Sequence, residues 1–439
     1  MIFIIPVWHI LRLFLLIPSG HYPHDSSQRK SHPIWRYLRL TFLVFLVLFL
    51  TFVFAQDLLL WVFNKSLWLK LFSGNNRILM LLVHIRSTAV LGKNWAIIML
   101  FVLRSRSLRG YIDGNFKNLL NLFPVSRRRQ QIHQILCAAI FVVPILISMV
   151  RLGFAAFIVY TKGDPNDRIP FYFRFINKWV LYTASYIAEI VGSLLAWSIV
   201  VFLASLGRIL KECSEQFNKK LVTLRDEIRI VHKNGLSRSE YKEFIRKVAD
   251  IRDNYEQLVD VFNEHEGLLS AQTFVAVVGY FMMTFSSLAG FFRPGGLSTL
   301  GFIIAALGCM MYFYQMAVIC VYPIRLHEES EKSVEILQQI IYFHQRSSGH
   351  SGRVPQLSEA TTTVEDLHMQ IKDFQELYSF LQRILTKPLS LTVVGFADLN
   401  RSFLVTIAAT VIGFTLFLLE QAEGQEYRSA GCQSFNSSV

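Results

Sequence analysis

The chain has 439 residues, 53% of them hydrophobic and only 17% charged, with 37 phenylalanines and a formal net charge of +13. A soluble domain usually carries about 25% charged residues, so a string of soluble domains is excluded, and a nucleic-acid binder of this basicity would not be this apolar. Collagen, low-complexity disorder and a disulfide-stapled secreted module are excluded as well, because Cys137, Cys213, Cys309, Cys320 and Cys432 form no C-x-x-C pair and no metal-ligand spacing.

The composition predicts an all-α polytopic membrane protein. Residues 1–37 form an N-terminal segment in which 2–18 lacks a basic leader and a small-residue cleavage site. That stretch is short for a span and reads as an interfacial helix on the cytoplasmic face. A crossing needs about 20 mostly apolar residues. Seven stretches meet that need: 38–60, 78–103, 135–160, 179–206, 268–292, 300–322 and 402–419. The second is interrupted by His84, Arg86 and Lys93, the third contains Arg151, and the fourth carries Glu189.

An odd number of spans puts the termini on opposite sides. With the N-terminus inside, Lys and Arg number 31 in the inner segments and 9 in the outer ones. Those segments hold 206 and 62 residues, so the density per residue is nearly equal and charge alone leaves the direction open. The inside orientation is adopted, with Asn64 and Asn436 then in extracellular sequons available for glycosylation.

Chain order then gives spans one to four over 38–206, a cytoplasmic helical hairpin over 207–267, and spans five and six over 268–322. Cytoplasmic helices with a flexible loop follow over 323–401, then the last span and pore candidate over 402–421, and an extracellular tail over 422–439. Leu210, Phe217, Leu221, Leu224, Ile228 and Val231 share one helical stripe, and 234–237 breaks it before a second helix. After a loop at 346–362, Val364, Leu367, Ile371, Phe374, Leu377, Leu381 and Ile384 repeat the pattern, with Thr363 and Asp366 at the cap.

Ionisable groups inside a bilayer mark function by default. His84, Arg86, Arg151 and Glu189, with Tyr182 and Tyr186 on the same helix as Glu189, fall in the outer halves of their spans. They converge on an outward-facing ligand cavity, or Glu189 simply neutralises Arg86 or Arg151. Tyr312, Tyr314 and Gln315 in span six line a conduit or pack between helices. No Walker loop, G-x-S-x-G, H-E-x-x-H or spaced acidic pair with a base is present, so no enzyme, catalytic residue, metal or cofactor is expected.

The segment 395–421 is the most specific. Gly395, Phe396, Leu399, Asn400 and Arg401 match the entry to the last span of the insect-type gustatory receptors, which this chain resembles. That family continues with T-Y-x5-Q-F, where this chain has Gly413-Phe414, five residues, then Glu420-Gln421. The spacing is kept and the four residues differ.

The resemblance implies an N-terminus inside the cell and a plasma-membrane receptor that detects a small-molecule tastant. It also implies a ligand-gated cation channel, a homo- or hetero-tetramer of related subunits embedded in membrane lipid, with the last spans around a central pore. In such a pore Ala408, Gly413 and Thr415 allow close approach, beside Phe414 and Gln421. Glu420 would form an acidic ring at the outer mouth. Nucleic acid has no place in it. Two alternatives stand beside it. A receptor of the G-protein-coupled kind requires the N-terminus outside, so an N-terminal tag reachable on intact cells decides for it. A transporter is favoured by the intramembrane charges, but no internal repeat supports one.

Overall fold

The computed structural model describes residues 33–63, 77–124, 127–162, 178–234, 238–292, 299–350, 364–386, 389–392 and 398–436. Inside lipid every backbone polar group must be satisfied within its own segment, which leaves helices as the open-chain solution. The chain obeys: α1 (Pro33–Phe63), α2 (Arg77–Tyr111), α3 (Lys117–Leu122), α4 (Arg127–Lys162), α5 (Lys178–Asn234), α6 (Arg238–Phe291), α7 (Thr299–His350), α8 (Val364–Thr386) and α9 (Arg401–Asn436). Among the described residues the only β pairing is an isolated antiparallel bridge between Thr392 and Asp398.

The predicted spans lie on α1, α2, α4, α5, α6, α7 and α9. Six of these helices are long and apolar enough to cross a membrane; on α4 the apolar run among the described residues is shorter, Gln134–Val150. The spans do not stop at the bilayer edge. α5, α6 and α7 reach 57, 54 and 52 residues, so each continues as one helix from the membrane into the helical base. Two ends differ from expectation. α7 runs to His350, into the predicted loop, and α9 runs to Asn436, through the predicted tail. In the latter case Ala422, Glu423, Gln425 and Glu426 are residues that tolerate helix well, and they follow an already nucleated helix. The 2–18 segment, Asn64, Gly395 and Phe396 lie outside the described residues.

α5 is the central post. Leu195, Ala196, Ile199, Val200, Val201, Phe202 and Leu206 are all essentially inaccessible, as expected of a helix apolar on every side. It packs on α7 most extensively, and α2, α4 and α6 complete the surround. Trp197 on α5 meets the edge of Tyr280 on α6 at 6.4 Å between centroids. α1 joins through α2, where Trp95 Nε1 donates to Thr51 Oγ1 at 2.9 Å and the Trp95 ring stacks on Phe54. Outward side chains such as Phe45 and Leu146 are exposed and apolar, as a lipid-facing surface requires.

The base is held by a buried polar knot. Asn218 Nδ2 on α5 donates to the Glu329 carbonyl at 2.8 Å and to Glu329 Oε2 at 3.0 Å. Ser333 Oγ donates to Asn218 Oδ1 at 2.5 Å. Around it Phe217, Tyr255 and Phe380 form a ring cluster joining α5, α6 and α8. The predicted stripe of α5 is buried at Leu210, Phe217, Leu221, Leu224 and Ile228, and that of α8 at Leu377 and Ile384.

α9 is nearly solitary. Ile407 and Leu418 are its only buried residues among those described, with Val411 and Phe414 half-buried on the same side. These four recur on one side of a 3.6-residue helix, and Phe414 meets Phe285 of α6 at 4.4 Å. The opposite side carries Val405, Ala409, Ile412, Leu416 and Glu420, all exposed.

Candidate functional site

Five helices border a partly open pocket in the membrane half of the bundle, the kind of cleft between helices where small molecules bind. α2 contributes Val90 and Lys93, α4 contributes Pro144, Ile145, Ser148 and Met149, and α5 contributes Ile190, Ser193, Leu194 and Trp197. Met283 of α6 and Met311, Tyr312 and Gln315 of α7 close it. The lining is apolar and thioether-rich, with a few polar groups placed in it. Methionine adapts to differently shaped ligands.

Local chemistry fixes the walls. Pro144 removes one backbone N–H from α4, and Trp197 Nε1 donates to the carbonyl of Phe141 in the same turn at 3.3 Å. That bond sets the indole orientation while its ring faces Tyr280. Ser148 Oγ donates to Met311 Sδ at 2.9 Å, linking α4 to α7 across the cavity. Asn94 Nδ2 donates to Ser193 Oγ at 2.9 Å, and Gly192 beside it faces Asn94 of α2 and Leu50 of α1.

Lys93 is 7% exposed and its Nζ lies 4.0 Å from the centroid of the Tyr280 ring, a cation–π arrangement. It fits because residue 279 is glycine: a Cβ at that position would come within 2.7 Å of Lys93 Cδ and 2.9 Å of its Cβ. Gly279→Ala is therefore expected to overpack the site and destabilise the protein by about 1–3 kcal/mol. A lower thermal midpoint of the full chain in detergent checks it, with Gly110→Ala, where an added Cβ meets open space, as the control that does not lower it.

The described ones among the predicted ligand residues lie on the same helices but do not line this cavity. Arg86 is half-buried on α2, two turns before Lys93, and Tyr186 and Glu189 are half-buried on α5, one to two turns before Ser193. None of the three lines the cavity. The side chains of His84, Arg151 and Tyr182 lie outside the described residues. Of the span-six residues, Tyr312 and Gln315 do line it. Sequence reasoning missed Trp197, Ser148, Ser193, Met283 and Met311 as lining, because each reads as core. Lys93 carried a signal, a charge within a span.

α7 leads from the cavity to the entry of α9. Beyond the span that ends at Tyr322, Glu328 Oε1 pairs with Arg401 Nε at 2.5 Å, and the hydrogen bond from that guanidinium holds the Glu328 carboxyl below its usual range. Ser330 Oγ accepts from the backbone N–H of Leu389 at 3.0 Å. On α6, Glu266 Oε1 accepts from the Thr392 N–H at 3.3 Å and also from the Thr392 hydroxyl. Leu399 N donates to the Leu391 carbonyl at 2.9 Å, and Asn400 Oδ1 accepts from Phe403 N at 3.0 Å, capping α9. The entry motif thus acts as a buried plug at Leu399, a cap at Asn400 and an ion pair at Arg401.

The expected pore residues divide between the two sides of α9. Phe414 faces α6, where its ring packs edge-on against Phe285. Ala408 and Thr415 are half-buried on one flank, and Thr415 Oγ1 donates to the Val411 carbonyl at 2.7 Å. Gly413 and Glu420 are exposed. The side chains of Gln421 and Asn436 lie outside the described residues.

No family model matches the chain, and no curated protein matches it. Solved structures do. The insect olfactory receptor OR5 from Machilis hrabei in complex with eugenol aligns over 95% of this chain and 99% of its own, at 15% identity and a TM-score of 0.57. Another structure of the same receptor aligns over 94% and 96%, at 14% identity and a TM-score of 0.53. The fold of this chain is the fold of that receptor.

Proposed function

We propose that the chain is a chemosensory receptor of the insect gustatory and olfactory kind. It is a multi-pass plasma-membrane protein with a cytoplasmic N-terminus that acts as a ligand-gated cation channel subunit. The observation that carries this reading is the continuity of α7. This single helix, with Pro323 inside it, presents Met311, Tyr312 and Gln315 to the cavity, Glu328 to Arg401 at the entry of α9, and Ser330 to Leu389. A ligand that shifts α7 at the cavity shifts the ties that hold α9. The Machilis receptor, whose eugenol complex has this fold, supports a small-molecule ligand.

In this reading Arg86, Tyr186 and Glu189, with His84, Arg151 and Tyr182, belong to the outer approach to the cavity. The bare side of α9 meets its counterparts in related subunits of a tetramer, around a central pore. Glu420 lies on that side with Val405, Ile412 and Leu416 and supplies an acidic ring at the outer mouth. Rings of carboxylates favour cations. Glu420→Lys is expected to cut cation selectivity, read as a shift of the reversal potential under a NaCl gradient toward that of chloride. An unchanged reversal potential rejects the acidic ring.

A further inference from the structure

A second cavity lies nearer the base, where the membrane half of the bundle ends. Gly207 of α5, Glu266 of α6 and Ile319 and Pro323 of α7 line it, with Thr392 and Leu399 from the entry to α9. Its volume, about 30 Å³, is room for one or two waters.

Each long helix is weak at this level. α7 carries Pro323 in its interior, so the Ile319 carbonyl lacks its helical donor and the helix bends easily there. α5 has Gly207 two residues after Ser205, whose hydroxyl donates to the Val201 carbonyl at 2.7 Å, a back-bond that favours bending. α6 has Gly267 next to Glu266. Arg104 Nη1 of α2 donates to the Gly267 carbonyl at 3.1 Å and to that of Leu268, competing for acceptors of the helical ladder. Glycine weakens a helix interior, and its reason differs from place to place. At Gly279 packing demands it, because a Cβ would strike the Lys93 stem. A Cβ at Gly207 would make ordinary contact with Tyr322 at 3.7 Å, and one at Gly267 would meet open space. Packing demands neither.

We propose that α5, α6 and α7 bend together at this level, as one joint between the membrane half and the base, with water in the second cavity serving the Ile319 carbonyl. Pro323 lies between Met311, Tyr312 and Gln315, which border the five-helix cavity, and Glu328 and Ser330, which hold the approach to α9. Displacement at the five-helix cavity reaches that approach through the joint. Leu399 and Thr392 line the second cavity, so a bend that reshapes it moves the residue next to the Asn400 cap. The inference rests on the channel reading and adds where its motion is seated.

Amide hydrogen exchange of the full chain in lipid nanodiscs, followed by mass spectrometry in heavy water without any ligand, tests the joint. Local opening sets the exchange rate. Peptides over 204–210, 264–271 and 320–327 are expected to exchange about tenfold faster than peptides on both sides in the same helix, such as 195–202 and 217–224 of α5. Pro323→Ala restores the missing N–H and is expected to bring all three segments back towards the flanking rates. Gly267→Ala is expected to slow all three about two- to fivefold, the factor set by glycine's cost to a helix, and carries the test if Pro323→Ala does not fold. Exchange at the joint no faster than in both flanks, or an effect of either substitution confined to its own helix, overturns the proposal. Failure of the channel reading looks different: the three segments exchange and respond together, and the bilayer passes no current.

Discussion

Replacing Glu266 by alanine is expected to leave ligand binding intact and to cut the maximal ligand-evoked current by about tenfold or more. Glu266 sits at the membrane end of the α6 base and accepts both the backbone N–H and the hydroxyl of Thr392. Hydrogen bonds to a charged group contribute about 1.5–3 kcal/mol each, and 1.4 kcal/mol is a factor of ten in an equilibrium. The segment they hold leads through Leu399 to the cap of α9, so losing them lets the lower helices move without carrying α9. Arg401→Ala removes a more exposed tie, 78% accessible at the arginine side chain, and its effect is smaller because exposed pairs are worth about 0–1 kcal/mol. The swap Arg401→Glu with Glu328→Arg is expected to recover part of that loss. Paired binding and current measurements on each variant check the set. A Glu266→Ala receptor with full current rejects the tie of α6 to Thr392 as part of the coupling route, beside the ties from α7.

Asn218→Ala is expected to lower the stability of the folded subunit by about 2–4 kcal/mol. The side chain is 6% exposed and serves Glu329 twice and Ser333 once. Its removal strands buried acceptors and a donor, each costing about 1–3 kcal/mol. Lys332 remains on Glu329 at 2.6 Å and limits the loss. The effect should appear as a lower midpoint in thermal unfolding of the detergent-solubilised protein, with exposed Lys219→Ala as the unaffected control. Because Asn218 also fixes α5 to α7 in the base, poor surface expression is expected to accompany it.

The spans were legible because lipid imposes one rule on long apolar runs, and the base was legible because Leu210 to Ile228 and Leu377 to Ile384 repeat at helical period. The continuation of α5, α6 and α7 across the membrane boundary followed from the same stripes. The cavity was not legible. It is made by five helices far apart in sequence, and Trp197, Met283 and Met311 look like any core residue until the fold brings them together. Arg86 and Glu189, whose charges are conspicuous in a span, do not line the cavity, while Lys93, two turns along α2 from Arg86, does. The motif at 399–401 was visible as a pattern. Its physical content, a cap and an ion pair to Glu328, needed α7 beside it. The division of α9 into a side held by Phe285 and a bare side was hidden because both sides are apolar, so Phe414 looked like a pore residue and packs on α6.

The central claim is that ligand in the five-helix cavity opens a cation path along α9. The most direct measurement reconstitutes the purified full chain in a planar bilayer and adds a compound shown to bind at the cavity. The account predicts stepwise cation currents at the concentrations that saturate binding, greatly reduced in the Glu266→Ala protein although it binds the compound equally well. Saturated binding with an electrically silent bilayer, or currents of equal size from the Glu266→Ala protein, would contradict it.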